Sequence, residues 1–213
     1  MKKFLCLALV VLASFLTGCL SDPDVLNNST IVLPDKIIGE GEVPLDILPE
    51  AVREAIERSM PIYSGIKPPD ISGEYLVTPL TLVGSSLSYD DIGKKYADQY
   101  IAFFKGAQGK YTYREKQGGG KTSSDDVIVQ VVGTGNEFTA YFTAETVSEY
   151  ATSKESAIIS GTLTSSGITD YYFAFVMLEK NDPSNKLVAV NTYRIFKDSD
   201  GSSPRYSWFT DTE

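Results

Sequence analysis

The amino-acid sequence predicts a mainly β protein, in which an antiparallel up-and-down meander of eight or nine strands closes into a barrel, with one amphipathic helix on its N-terminal side. Three observations lead to this prediction. Short segments rich in aromatic and β-branched residues recur along the chain, apolar and polar residues alternate within several of them, and Gly, Pro, Asn or Asp separates them at hairpin spacing. Closure is expected because a barrel leaves no exposed strand edge.

Composition fits one globular domain with appendages and excludes several kinds of chemistry. The chain has 213 residues, of which 42% are hydrophobic and 22% charged, and it contains no histidine. Without histidine, Ser-His-Asp and Cys-His catalysis and histidine-ligated zinc are ruled out. A formal net charge of −9 disfavours nucleic-acid binding, which needs a basic surface. We therefore expect no metal, no cofactor and no nucleic-acid partner.

One segment, 46–60, has the periodicity of an amphipathic helix. Asp46 is placed to cap it and Pro61 ends it. Its apolar side chains recur at helical spacing, so we expect this face to pack on the sheet. They are Leu48, Ala51, Val52, Ala55, Ile56 and Met60.

Strands are predicted after the Pro68-Pro69 pair. The clearest alternation places Phe138 and Phe142 on one face and Tyr141 on the other. The segment from Tyr171 to Met177 is apolar on both faces, which predicts a strand buried on both sides. The predicted strands are 74–79, 98–105, 110–115, 127–132, 137–145, 156–164, 169–179, 187–197 and 205–210.

The N-terminus carries a secretion signal. A short cationic start precedes an apolar run from position 4 to 16, which is too short for a stable membrane span and is typical of a signal peptide. The run ends in Leu16-Thr17-Gly18-Cys19, which resembles the lipobox of bacterial lipoproteins. The resemblance implies removal of signal peptide 1–18, a diacylglyceryl thioether on Cys19 and a fatty acyl chain such as palmitate on its new amine.

Residues 19–45 are predicted to form the lipidated cysteine and a flexible tether, and 46–213 the helix and barrel. The tether is rich in proline, glycine and polar residues. Because several acyl chains give stable anchoring, we expect a membrane anchor through Cys19. Leu20 replaces the aspartate that retains many lipoproteins at an inner membrane, so the resemblance implies a cell-envelope protein, with the outer membrane favoured.

Two short motifs look functional but have simpler interpretations. Gly118-Gly119-Gly120-Lys121-Thr122 resembles the end of a phosphate-binding loop, yet the motif's first glycine would fall on Glu115, and we predict a hairpin tip. Asp198-Ser199-Asp200-Gly201 resembles part of a calcium loop, but Phe209 stands where that loop needs glutamate. We predict a tight hairpin turn there.

Three further segments resemble the lipocalin family in order and position. Gly73-Glu74-Tyr75 opens the first strand, Thr169-Asp170-Tyr171 opens a late one, and Arg194 lies near the end of the next. The resemblance implies a lipocalin-like barrel in which Tyr75 packs against Arg194, or against Arg205, at the barrel base as a cation-π pair. This chain departs from the family in having tyrosine for tryptophan and no disulfide.

The leading functional hypothesis is non-enzymatic binding of a small apolar ligand or an envelope partner. The candidate ligand-lining residues are Phe103, Phe138, Phe142, Phe173 and Phe175. The alternative is a surface module that binds protein or glycan through Tyr100, Tyr141 and Tyr193. An open interior favours the first, and a filled barrel with an exposed aromatic patch favours the second.

A third hypothesis is a carboxylate-dependent hydrolase. Asp170 and Glu179 bracket one strand, and Glu145 and Glu149 end another, so either pair is a candidate. No spacing singles out a base or nucleophile, and we therefore expect that the protein is not an enzyme.

Overall fold

A computed structural model describes residues 29–30, 41–106, 110–118, 127–147 and 151–208 of the chain. The predicted signal peptide, Cys19, Glu149 and most of the Gly118–Thr122 motif lie outside these ranges. Within the described ranges, no helix is long and apolar enough to cross a membrane.

The structure contains twelve strands and one α-helix in the described ranges. A short 3₁₀ turn, Leu45–Ile47, precedes helix α1, Glu50–Ser59. The strands are β1 Ser29–Thr30, β2 Ile66–Lys67, β3 Gly73–Val77, β4 Leu80–Ser85, β5 Gln99–Lys105, β6 Tyr111–Gln117, β7 Val127–Thr134, β8 Glu137–Val147, β9 Thr152–Leu163, β10 Gly167–Asn181, β11 Tyr193–Asp198 and β12 Ser202–Pro204.

The sheet confirms the predicted antiparallel meander and barrel. Its strands follow the order β3-β5-β6-β7-β8-β9-β10-β11-β4, and each neighbouring pair in this order is antiparallel. Three short strands lie outside this order: β1 pairs with β8, β2 with β7 and β12 with β10. The meander arises because hairpin connections join successive strands.

The predicted hairpin turn at 198–203 is wrong. Both β11 and β12 pair antiparallel with β10, so the chain runs in one direction through both of them. The segment between them interrupts a single strand, and Gly201 adopts a φ of 83° that glycine tolerates well. The carboxylate of Asp198 holds the ends together, because its Oδ2 accepts hydrogen bonds from Ser203 Oγ at 2.7 Å and from Thr78 N at 3.2 Å.

The first strand is interrupted in the same way, and the two interrupted strands meet at a seam. Thr78-Pro79 separates β3 from β4, a strand that the sequence did not predict beyond Pro79. Next to the break, β4 pairs with β11, and an isolated bridge joins Tyr75 to Arg205 just after β12. The sheet is thereby nearly closed into a barrel.

Helix α1 is confirmed, but its start differs from the prediction. Pro49 occupies the N-cap without a side-chain hydrogen bond, and Asp46 lies in the preceding 3₁₀ turn. The helix buries Val52, Ala55 and Ile56 against the outer face of the sheet. Strand β10 is consequently covered on both sides: Phe173 and Phe175 belong to the barrel interior, while Ala174 and Val176 lie under the helix layer.

Part of the predicted tether is paired with the barrel. Ser29–Thr30 aligns with Thr146 and Glu145 of β8. Strands β3 and β8 begin at the end of the barrel that we call the base, and β8 ends at the opposite end, which we call the mouth. The N-terminal segment therefore meets the barrel near its mouth.

We expect the helix layer to contribute substantially to stability. Ile56 is fully buried, so Ile56→Ala should lower the free energy of unfolding by about 2–5 kcal/mol, through lost burial and the cavity left behind. Urea denaturation provides the measurement, with the exposed neighbour Glu57→Ala as the matched control. Equal stability of the two variants would contradict the observed packing.

Candidate functional site

The five phenylalanines predicted to line a ligand cavity lie in the barrel interior, where ring contacts join Phe103, Phe138, Phe142 and Phe173 to other aromatic residues. All five are at most 2% exposed. Phe103 contacts Tyr113 and Phe138, with ring centroids 5.2 and 6.5 Å apart, and Tyr113 contacts Phe142 at 5.5 Å. Phe173 stacks on Phe196 at 6.1 Å. An eight-stranded barrel is just wide enough for such side chains to occupy it, so this part of the interior is a packed core.

A polar layer crosses the same interior. Glu115 on β6 accepts hydrogen bonds at Oε2 from Tyr113 Oη at 2.6 Å and from Gln99 Nε2 at 2.7 Å. The Oη of Tyr171 on β10 donates to Gln99 Oε1 at 3.2 Å, which links strands on opposite sides of the barrel. All four residues are fully buried. Burial of hydrogen-bonded polar groups is tolerated because their lost hydration is replaced by these bonds.

Three buried acids titrate far from their ordinary range. Burial raises the pKa of Glu115 to about 7, against the opposing effect of the bonds from Tyr113 and Gln99. Burial likewise raises the pKa of Glu155 to about 7, with the Ser153 hydroxyl opposing it. The pKa of Asp198 rises to about 6 because of burial and the nearby Asp200 charge. The alternation Tyr111, Tyr113, Glu115 was the sequence signal for an inward acid, and our sequence analysis missed it.

The barrel base contains the predicted cation-π contact of Tyr75, but its partner is Arg205 and not Arg194. The guanidinium carbon of Arg205 lies 5.2 Å from the centre of the Tyr75 ring. Arg194 lies instead near the mouth, where its Nε and Nη2 donate to the Asp90 carboxylate at 2.6 and 2.8 Å. The reason is topological: Arg194 opens β11 and pairs with Ser85, whereas Arg205 follows β12 and pairs with Tyr75.

An open groove of about 610 Å³ lies at the barrel base, and we call it the basal groove. Two cationic side chains line it: Lys105, which pairs with Asp70 at 2.8 Å, and Arg205, whose Nη1 donates to the Ser72 carbonyl at 3.1 Å. Both Lys105 and Asp70 are about half exposed, so their pairing is weak in free-energy terms. The complete lining is Ser72, Gly73, Glu74, Phe103, Phe104, Lys105, Arg205, Tyr206 and Ser207.

Aromatic rings and cations continue from the basal groove onto the outer face of β5 and β6. Tyr100 contacts Tyr206 at 5.7 Å and Trp208 at 6.1 Å between ring centroids. The ammonium of Lys116 lies 5.1 Å from the Tyr100 ring centre and 5.0 Å from that of Trp208. The guanidinium of Arg114 lies 5.3 Å from the centre of the Phe104 ring. This aromatic-cationic face contains one of the three tyrosines predicted to face outward.

The other two predicted tyrosines lie elsewhere. Tyr141 is only 6% exposed, and its hydroxyl donates to Gln130 Oε1 at 2.7 Å. Tyr193 is half-buried and packs against the apolar layer beneath helix α1. Tyr141 on β8 and Tyr193 on β11 are therefore separate from the basal groove and from the aromatic-cationic face of β5 and β6.

Of the two carboxylate pairs considered for a hydrolase, Asp170 and Glu179 do not converge, and the pair Glu145 and Glu149 stays a prediction because Glu149 lies outside the described residues. Asp170 and Glu179 lie near opposite ends of β10, about 30 Å apart at the usual rise per strand residue. Glu179 is 75% exposed and lies 3.8 Å from Lys154 Nζ. Among the described residues, no group of three or more His, Cys, Asp or Glu side chains could hold a metal ion.

Comparison with known proteins adds no relative: no family model matches the chain, and neither a curated protein nor a solved structure is significantly similar to it.

The buried acids predict an unusual pH dependence of stability. Glu115 and Glu155 have higher pKa values in the folded than in the unfolded chain. Their contribution to the free energy of unfolding is therefore fully present below about pH 4.5 and is lost as the pH rises through about 7. Each shift corresponds to about 3 kcal/mol. The pKa values of Asp70 and Asp90 are lowered, so these two groups stabilise the fold at both pH 5 and pH 8. Their contribution is lost only in more acidic solution.

We therefore expect a higher free energy of unfolding at pH 5 than at pH 8. Glu115→Gln should reduce this difference by about 3 kcal/mol, since the neutral amide has no charge to desolvate. Denaturant titrations at the two pH values measure it, with the exposed Glu179→Gln as control. An unchanged pH profile in Glu115→Gln would contradict the burial of this carboxyl group.

Proposed function

We propose that this protein is a lipid-anchored, non-enzymatic recognition module of the bacterial cell envelope, and that it binds an anionic saccharide in the basal groove. The observation that carries the proposal is the contrast between a barrel interior packed with contacting rings and an open groove lined by Lys105, Arg205 and Tyr206. These observations favour the second hypothesis, a surface module that binds protein or glycan, over an apolar ligand inside the barrel.

The proposed anchor rests on the Leu16-Thr17-Gly18-Cys19 motif. Nine residues lie between Cys19 and Ser29, so the ten steps from one Cα to the next reach about 35 Å at full extension. Because Ser29 pairs with β8 near the mouth, an acylated Cys19 would hold the mouth close to the membrane. The basal groove lies at the other end of the barrel and would then face away from the lipid.

The size of the basal groove favours a small ligand over a protein partner. Its volume of about 610 Å³ falls in the range typical of small-molecule sites. A stable protein interface needs about 800 Å² of surface on each partner, which a single groove does not supply. One or two sugar units of a longer glycan fit this scale.

The side chains of the basal groove favour an anionic sugar over an apolar ligand. Tyr206 is 47% exposed and Phe104 36%, so their rings offer flat faces to a sugar ring. Lys105 and Arg205 supply hydrogen-bond donors that suit a carboxylate or phosphate. The lining also contains Glu74, so its three charged side chains carry a net charge of +1 before the Asp70 carboxylate beside Lys105 is counted, on a chain whose formal net charge is −9.

The anchor is tested on its own. Intact-mass spectrometry of the protein purified from bacterial membranes should show a chain that begins at Cys19 and carries diacylglycerol and a third acyl chain. Cys19→Ala should retain residues 1–18 and lack the lipid mass, whereas Cys6→Ala should be processed normally. A mature chain that begins elsewhere, or that lacks lipid, would overturn the anchor.

The basal groove is tested with a disaccharide that contains glucuronic acid, compared with the neutral disaccharide cellobiose. We expect calorimetry to show tighter binding of the acidic sugar. Lys105→Gln should weaken that binding about tenfold, because a charged hydrogen bond contributes roughly 1.5–3 kcal/mol. Tyr206→Ala should weaken both sugars, and Arg58→Gln, an exposed cation on helix α1, serves as the matched control.

A gain of affinity provides the sharper test. Asp70→Asn removes the charge that holds Lys105 at 2.8 Å, so this variant should bind the acidic disaccharide more tightly than the original chain does. A misfolded variant cannot produce such a gain. If neither sugar binds, or if Asp70→Asn and Lys105→Gln change affinity in the same direction, the proposed ligand is wrong.

A further inference from the structure

Glu155 is a buried carboxylate inside the barrel near its mouth. It lies on β9, three residues after the strand begins at Thr152, which is about 10 Å along the strand. Its neighbours in the sheet are Ala144 on β8 and Met177 on β10, both of which belong to the interior core. Glu155 itself has no exposed surface.

No donor among the described residues lies at hydrogen-bond distance from either carboxylate oxygen of Glu155, and the nearby Ser153 hydroxyl offsets only part of the effect of burial on its pKa. The other buried acids differ in this respect. Asp198 accepts bonds from Ser203 and Thr78, and Asp182 accepts one from the Leu187 amide at 2.6 Å and pairs with Lys180. A buried acid without such compensation is costly, so natural proteins rarely retain one without a ligand or a function.

The neighbours of Glu155 suit an organic cation better than a metal ion or water. Among the described residues no cluster of metal-ligating side chains is present, and a divalent ion needs several oxygen ligands. A buried water needs two to four polar partners, whereas Ala144 and Met177 are apolar. One register step deeper, Phe142 and Phe175 flank Ala157 in the sheet, so the interior layer below Glu155 is aromatic.

The flanking residues also leave room for adjustment. Ala144 is small, and Met177 is flexible enough to repack around a ligand. Toward the mouth, the next interior position on β9 is Ser153, whose hydroxyl is polar and nearly buried. Near the mouth, the carboxylate of Glu155 and the hydroxyl of Ser153 thus lie next to the apolar side chains of Ala144 and Met177.

We propose that Glu155 anchors a second ligand site inside the barrel mouth, and that this site takes a molecule with a primary ammonium group on a short apolar body. The ammonium donates hydrogen bonds to both Glu155 oxygens, and the apolar body takes the space of the flexible Met177 side chain, which moves aside at the mouth edge of the packed phenylalanines. The site lies at the opposite end of the barrel from the basal groove, so it does not depend on the saccharide proposal.

The test uses the full mature chain in detergent micelles, with n-butylammonium as the probe and 1-butanol as the neutral probe of equal chain length. We expect NMR titration at pH 7 to show saturable binding of butylammonium with at least tenfold higher affinity than butanol. Glu155→Gln should abolish this preference. Glu179→Gln, which neutralises an exposed glutamate of the adjacent strand, should keep it.

A second measurement needs no variant. In the chain labelled with ¹³C at its glutamate carboxyl groups, butylammonium should move the Glu155 resonance toward the ionised position, because a bound cation favours the carboxylate. The Glu115 resonance should stay in place. Equal binding of butylammonium and butanol, an unaltered preference in Glu155→Gln, or a stationary Glu155 resonance would each overturn the proposal.

Discussion

The rest of the structure depends on the contact that closes the barrel at the seam between its first and last strands. Both strands are interrupted, one at Thr78-Pro79 and the other between β11 and β12. The buried Asp198 carboxylate joins the two interruptions by accepting hydrogen bonds from the Thr78 amide and from Ser203. This contact joins the two strands at the point where each leaves the regular ladder, beside the backbone hydrogen bond from Ser199 N to the Pro79 carbonyl at 3.2 Å.

Near-closure of the barrel brings inward side chains from separate strands into one buried cluster, and this decides what the interior can do. Aromatic rings from separate strands meet there, and the polar groups of Gln99, Tyr113, Glu115 and Tyr171 satisfy one another across the barrel. Glu155 near the mouth differs from Glu115 because both of its carboxylate oxygens, not one, are without a hydrogen-bond partner among the described residues. The interior is therefore a packed core at the base and middle, with an uncompensated charge at one end. The open basal groove lies outside this core, at the barrel base.

Sequence reasoning worked where local pattern decides structure. Alternation at Phe138 and Phe142 identified inward residues of β8, and the helical spacing around Val52 and Ile56 identified the buried face of α1. It did not find that Arg205 rather than Arg194 meets Tyr75, because that pairing depends on how far β11 extends before its interruption. Nor did it find that Tyr141 is covered, since alternation distinguishes two faces but not which of them is exposed.

The sequence alone determined the strand class, the antiparallel order and the absence of imidazole chemistry, because composition, two-residue periodicity and short connections are local properties of the chain. Only the tertiary structure decided that Glu115 and Glu155 are buried away from solvent, and that Lys105 and Arg205 line one groove with Tyr206. Those outcomes depend on residues far apart in sequence, such as Glu74 with Trp208 and Gln99 with Tyr171, whose approach is set by barrel closure. Burial and charge are properties of the assembled neighbourhood, and no segment of the chain contains them by itself.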